Sequence, residues 1–350
     1  MKKRTLLKTL AAAALVTTGI VGHVAPSFAQ EVTLRMHQFL PPQANVPKYV
    51  LQPWADKVEE ESDGRIKVEL YGAMSLGGTP PQLIDQAGDG AVDIVWTLPG
   101  YSPGRFPRAE VFELPFMMSN AEAGSKAYWD LFESDMKDQD FKDFKILGAW
   151  MHGPGVIHAK GDGVHKLEDM QGLKLRGPTR VINNLLSETG ATPIGMPVPA
   201  IPEALSKNVI DGTVIPYEVT TALKIPELVE THTEFSGDKA LYTAVFVLAM
   251  NKAKYDSLPD DLKKVIDDNS GAEFSAFAGR TMQEYDKPGR AASEAANNEI
   301  VILDEAEVAR WKEAAQPVID NWIAEMNDKG IDGADLYERA QALMEKYTNE

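Results

Sequence analysis

Residues 169–197 read DMQGLKLRGPTRVINNLLSETGATPIGMP. The run Leu173-Lys174-Leu175-Arg176 alternates apolar and charged side chains, the two-residue period of a strand with one buried face. Gly177-Pro178 then breaks the strand, and a helix is expected near Val181 to Thr189, where Val181, Ile182, Leu185 and Leu186 fall on one side. A further apolar run, Val209 to Ile215, supplies the next strand. Strand, helix, strand at this spacing is a βαβ unit and implies an α/β fold.

The same rhythm extends outward. Toward the N-terminus stand a strand at Val32 to Phe39, a helix at Trp54 to Glu61, the turn Asp63-Gly64 and a strand at Arg65 to Tyr71. A Gly/Pro-rich loop, a short helix at Leu83 to Ala87 and strands at Val92 to Trp96 and Phe144 to Trp150 follow. A parallel sheet is expected from this order. Tyr242 to Met250 is a buried strand by its unbroken apolar run, and it comes too late for one continuous α/β domain. From Leu258 onward the pattern is almost wholly helical, with helices at Ala272 to Tyr285, Glu305 to Met326 and Gly333 to Tyr347. Two discontinuous lobes are therefore expected, joined by more than one crossover and separated by a cleft: 30–155 plus about 241–283, and 156–240 plus about 284–350.

The N-terminus is read as a cleaved export signal. Lys2, Lys3 and Arg4 precede an apolar stretch from Ala11 to Val21, and Ser27-Phe28-Ala29 ends it with small residues at the positions a signal peptidase reads. Lys8 and His23 bracket only 14 residues, short of the roughly 20 that a span requires. Removing residues 1–29 leaves 31 basic against 52 acidic side chains, a net charge of −21. Such a surface repels nucleic acid, and no later stretch is apolar enough to embed in a membrane. The chain has no cysteine, which excludes disulfides, thiol chemistry and cysteine metal sites.

Catalytic and cofactor motifs fail on inspection. Gly100-Tyr101-Ser102-Pro103-Gly104 matches the G-x-S-x-G nucleophile elbow, but the elbow needs the backbone N–H after the serine, and Pro103 has none. His152, His158 and His165 lack metal-ligand spacing, and an EF-hand reading from Asp328 founders on Arg339 at its twelfth position. GxxxxGK[ST] and GxGxxG are both missing. No cofactor, no metal and no enzyme activity are expected.

The strand ends carry more information, because ligands of open α/β sheets sit beyond the carboxyl ends of the strands. Those ends are His37-Gln38-Phe39, Trp96-Thr97, Trp150-Met151-His152, Arg176 and Pro216-Tyr217-Glu218. The aromatics line a pocket or pack in the core. Arg176 either pairs with a surface acid or grips a ligand carboxylate with two parallel hydrogen bonds, a geometry lysine cannot copy.

Four stretches resemble a known family: Ser62-Asp63-Gly64-Arg65-Ile66-Lys67-Val68, Leu76-Gly77-Gly78, Glu113-Leu114-Pro115-Phe116 and Asp169 to Pro197, with Asp211-Gly212 as a further landmark. Together they are similar to the extracytoplasmic solute-binding proteins of TRAP transporters, the family typified by the C4-dicarboxylate-binding protein, over nearly the whole mature chain. The resemblance implies the two-lobed periplasmic binding protein fold, with two crossovers, a long back helix and a ligand cleft between the lobes. It also implies an organic acid whose carboxylate pairs with Arg176, and as partner a membrane permease of a small and a large subunit.

Two departures bear on the substrate. Ile215 precedes Pro216 where the family commonly has asparagine, and Pro199-Ala200-Ile201-Pro202 replaces a usual acidic residue. A second upstream arginine is also missing, His158 being the nearest candidate. These changes favour an aromatic or otherwise apolar monocarboxylate. The alternatives are a small 2-oxo or 2-hydroxy acid, a dicarboxylate, or a role as ligand input to a sensor kinase.

Overall fold

A computed structural model describes residues 31–350; the export-signal expectation lies outside them. The strands form two sheets. The first contains β1 (Val32–His37), β2 (Ile66–Tyr71), β3 (Ile94–Thr97), β4 (Phe144–Met151) and a late strand in the order β2-β1-β3-late-β4. The second contains β5 (Val156–Ala159), β6 (Lys174–Gly177), β7 (Thr192–Gly195), β8 (Gly212–Ile215), β9 (Thr231–Phe235) and a last strand, in the order last-β9-β5-β8-β6-β7. The late strand is β10 (Val245–Asn251), and the last is β11 (Glu299–Leu303). The chain thus leaves the first sheet through residues 152–155, returns to it through 236–244, and reaches the second again through helices Ala272–Glu284 and Asp286–Ala295.

The α/β class matches expectation, but two details differ. Neither sheet is purely parallel: β10 runs antiparallel to β3 and β4, and β5 antiparallel to β8 and β9. Both antiparallel strands follow a connection between sheets, so no crossover helix dictates their direction. The wholly helical tail is also interrupted by β11, which pairs parallel with β9. It is a five-residue edge strand with Ile302 59% exposed, too short and too weakly alternating to stand out between two helices. Strands β5, β7 and β9, of four or five residues each, were likewise not expected.

The decisive segment folds as its sequence suggests. β6 ends at Gly177, and helix Arg180–Glu188 buries Val181, Ile182, Leu185 and Leu186. The 24-residue helix Glu305–Asp328 packs against helices Arg180–Glu188 and Gly333–Thr348, is capped by the Asp304 side chain on the Glu307 N–H and is buried along Val308, Trp311, Ala315, Val318 and Trp322. Pro317 lies inside it. Among the described residues, no helix is long and apolar enough to cross a membrane.

Candidate functional site

The first and second sheets face each other across a cavity lined by residues of both. The first sheet contributes Phe39 beyond β1, Trp96 on β3 and Phe246 on β10; the second contributes Arg176 on β6 and Ile215, Pro216 and Glu218 at the end of β8. His152 and Tyr242 come from the two crossings. The aromatic wall is layered. Phe39 stacks on Trp96 with centroids 4.6 Å apart, and Trp96 stacks on Phe246 at 5.2 Å.

Arg176 is fully buried. Its Nε donates to the Met196 carbonyl at 2.8 Å and its Nη1 to the Val214 carbonyl at 3.2 Å. Nη2 has no hydrogen-bond partner, and among the described residues the guanidinium makes no ion pair. Burial pulls its pKa down, against the favourable influence of Tyr101 and Tyr242. A buried cation held only by neutral groups is costly unless an anion joins it. The Trp96 Nε1–H and the Tyr242 hydroxyl are two further buried polar groups without partners. Donors converging on an apolar space fit an anion carrying an apolar body.

Among the expected site residues, Phe39, Trp96, His152, Arg176, Pro216 and Glu218 surround this cavity. His152 contributes shape rather than charge. Its Nδ1 bonds the Gly153 carbonyl at 2.5 Å and its Nε2 accepts the Ala244 N–H at 2.9 Å, and burial lowers its pKa to about 4.

The other five expected residues are elsewhere. His37 bonds Gln86 at 2.7 Å and accepts the Leu76 N–H, bracing the Gly-rich loop. Gln38 turns back onto the backbone of Leu40. Trp150 lies opposite Phe246 in the β4–β10 pairing but one ring behind the cavity wall, edge-on to Phe274 with its N–H toward the Met282 sulfur at 3.3 Å. It is core. His158 is buried in a chain running from Asn298 Nδ2 to His232 Nε2, from His232 Nδ1 to His158 Nδ1, and from His158 Nε2 to the Ile215 carbonyl. Both histidines are held neutral by burial, so His158 is no anion partner. Tyr217 points away to Glu234, which its hydroxyl meets at 3.0 Å.

Tyr101 and Tyr242 were not anticipated. Tyr101 lies within the G-x-S-x-G turn, where attention falls on Ser102. Its buried hydroxyl accepts the Val198 N–H at 3.0 Å and adjoins Arg176. The turn itself is a short 3₁₀ segment, Pro99–Tyr101, with no strand-to-helix elbow. Tyr242 opens the buried run that leads into β10, so its position was visible although its role was not.

Polar contacts link segments beside the first sheet to segments beside the second, and Arg180 also reaches the long helix. The Thr179 hydroxyl donates to Glu113 at 2.6 Å, Asn45 bonds the Glu218 carbonyl at 2.5 Å, and Arg180 pairs with both Glu110 and Glu325. Burial raises Glu113 and Glu218 to about 8 and Asp286 to about 7. Above pH 6.5 the folded chain therefore keeps protons on these carboxyls that the unfolded chain has released, so stability falls as pH rises through 7 and 8. The buried histidines act in the opposite sense, but only below pH 6.5, where the unfolded chain binds more protons than the folded one. Melting temperature should thus drop between pH 6.5 and 8.5 in calorimetry, and Glu113→Gln and Glu218→Gln should each flatten the slope. A melting temperature that rises over that interval would contradict the buried neutral carboxyls.

The DctP family profile, described as bacterial extracellular solute-binding protein, family 7, matches residues 36–325. The chain is 50% identical to a TRAP solute-binding protein from Rhodoferax ferrireducens solved with copurified benzoate, over 91% of this chain and 98% of that one, with a TM-score of 0.89. It is 47% identical to a marine metagenome TRAP solute-binding protein solved with 3-hydroxybenzoate, over 91% and 99%, again with a TM-score of 0.89. A TRAP periplasmic solute-binding protein from Bordetella bronchiseptica, with bound (R)- and (S)-mandelate, is 28% identical over 90% and 99%, with a TM-score of 0.83.

Proposed function

Because this chain belongs to bacterial extracellular solute-binding protein family 7, the DctP family of TRAP binding proteins, we propose that it captures an aromatic monocarboxylate and delivers it to a membrane permease. The observation that carries the reading is Arg176, a fully buried guanidinium without an ion-pair partner among the described residues, set in a cavity walled by Phe39, Trp96 and Phe246. The carboxylate meets Arg176, and the ring lies against the aromatic wall, where offset stacking adds about 0.5–1.5 kcal/mol per pair beyond burial. A dicarboxylate fits poorly, since Arg176 is the one cationic side chain among the described residues lining the cavity and an unpaired second charge is costly. The aromatic ligands of the similar proteins from Rhodoferax ferrireducens and the marine metagenome support the same reading.

In this account the protein is exported by its N-terminal signal, acts in the periplasm without catalysing a reaction, and docks on a permease of a small and a large subunit. Residues 30–155 with about 241–283 form one lobe and the remainder the other, hinging at the crossings so that ligand selects the closed form.

The test is calorimetry on protein stripped of co-purified ligand. Benzoate or 3-hydroxybenzoate should bind at least ten-fold more tightly than succinate or malate. Ligand at about 100 times its dissociation constant should add roughly 2.7 kcal/mol to the unfolding free energy. Tighter binding of succinate would refute the reading. The two tryptophans should separate in the same experiment. Trp96→Ala is expected to weaken ringed acids about ten-fold, whereas Trp150→Ala should act mainly on stability, by about 3–5 kcal/mol.

A further inference from the structure

We propose that Glu218 reads a hydroxyl group on the ring: the ligand class that completes this cavity is a hydroxylated aromatic monocarboxylate, with its carboxylate at Arg176 and its hydroxyl at Glu218. This assignment rests on the aromatic-acid reading above and deepens it.

Glu218 lines the cavity and is 3% exposed. Its backbone is pinned on both sides, the N–H donating to Asp286 Oδ1 at 2.9 Å and the carbonyl accepting from Asn45 at 2.5 Å. The carboxyl is left with one long contact, Asn45 Nδ2 to Oε2 at 3.5 Å, and Oε1 has no hydrogen bond among the described residues. A buried carboxyl so poorly satisfied within the protein is unusual, because such groups cost free energy unless they find partners.

The position of the carboxyl decides which partner. The Arg176 guanidinium is surrounded by Tyr101, Tyr242 and His152. Glu218 is surrounded by Asp286 and Asn45 instead. Both groups line the cavity with Phe39, Trp96 and Phe246, and among the described residues no ion pair or hydrogen bond joins them, so they stand as separate contacts for a ligand. A second carboxylate on the ligand is excluded at Glu218, where it would meet two acids. A hydroxyl fits: it donates to one oxygen of Glu218 and accepts from the other when that oxygen carries a proton. Burial and Asp286 raise Glu218 to about 8, so at neutral pH it presents both an O–H donor and an acceptor and does not repel an anionic ligand. A site built to hydrogen-bond a hydroxyl discriminates strongly against an analogue lacking it, because its own polar group is then left unpaired.

Isothermal calorimetry at pH 6.5 with benzoate, 3-hydroxybenzoate and 4-hydroxybenzoate tests the assignment on the wild type, Glu218→Gln and Glu218→Leu. At least one hydroxy acid should bind the wild type five-fold or more tightly than benzoate. Glutamine, which keeps a donor and an acceptor, should preserve that ratio. Leucine should bring it to within two-fold of unity. Glu218→Met, closer in length, serves the same comparison if the leucine variant folds poorly. The assignment is overturned by a ratio unchanged in the apolar variants, by wild-type benzoate affinity equal to or above that of both hydroxy acids, or by an equal loss for all three acids, which would make Glu218 a contact of lobe closure through Asn45. If none of the three binds the wild type, the aromatic-acid reading itself falls and takes this assignment with it.

Discussion

Replacing Arg176 by methionine is expected to weaken binding of an aromatic carboxylate at least 100-fold while leaving the ligand-free protein folded. The magnitude follows from burial. Breaking a buried ion pair by removing one partner costs about 3–5 kcal/mol, against about 1.5–3 for a single hydrogen bond to a charge. Arg176 is fully buried and its Nη2 has no protein partner, so the pair with a ligand forms away from water. Stability should respond less, because the same change removes a desolvated cation, although the Met196 and Val214 carbonyls lose a donor. Arg176→Lys should recover only part of the affinity, since an ammonium cannot span two carbonyls and a carboxylate in one plane. Calorimetry on the purified variants decides it: native-like affinity in Arg176→Met would remove the guanidinium from the site.

The second large effect is expected at Gly100, which follows β3 on the first-sheet side of the cavity and lies against Thr179 on the second. A Cβ at Gly100 would stand 2.3 Å from Thr179 Cγ2 and 2.9 Å from its Cβ. Contacts that close cannot be accommodated, and overpacking costs about 1–3 kcal/mol. The clash arises between the two sides of the cleft, so Gly100→Ala should lower ligand affinity about ten-fold and shift the melting temperature of the ligand-free protein little. Thr179→Ser removes the offending Cγ2 and keeps the hydroxyl that bonds Glu113; the double variant should regain most of the loss. Small-angle scattering should show the alanine variant failing to contract at ligand concentrations that contract the wild type. Additive losses in the double variant would mean that the two residues do not meet during closure.

Much of this could be read from one dimension. The strand Leu173 to Arg176, the break at Gly177-Pro178 and the helix after it follow from local periodicity and backbone restriction, and the structure has them within about one residue. Arg176 stood out because a charged residue ended an alternating strand just before a turn. The absence of cysteine and the proline after Ser102 excluded whole classes of chemistry, because those exclusions depend on atoms the side chains or backbone lack.

Depth, direction and partnership were decided only by the tertiary structure. Alternation says which face of a strand a ring occupies but not whether another ring stands in front of it; Trp96 and Trp150 share a face, yet of the two only Trp96 lines the cavity, beside Phe246. Strand-end position placed His37, Gln38 and Tyr217 at the rim, and His158 stood as the nearest candidate for a second cation, yet each is bound by a partner that the pattern does not specify: Gln86, the Leu40 backbone, Glu234 and His232. The antiparallel course of β5 and β10 and the edge strand β11 depend on pairing between distant segments. Glu218 shows the same limit most clearly. Its protonation is set by burial and by Asp286, 68 residues further along the chain, and electrostatics of that kind exist only once folding has brought the two carboxyls out of water and beside each other.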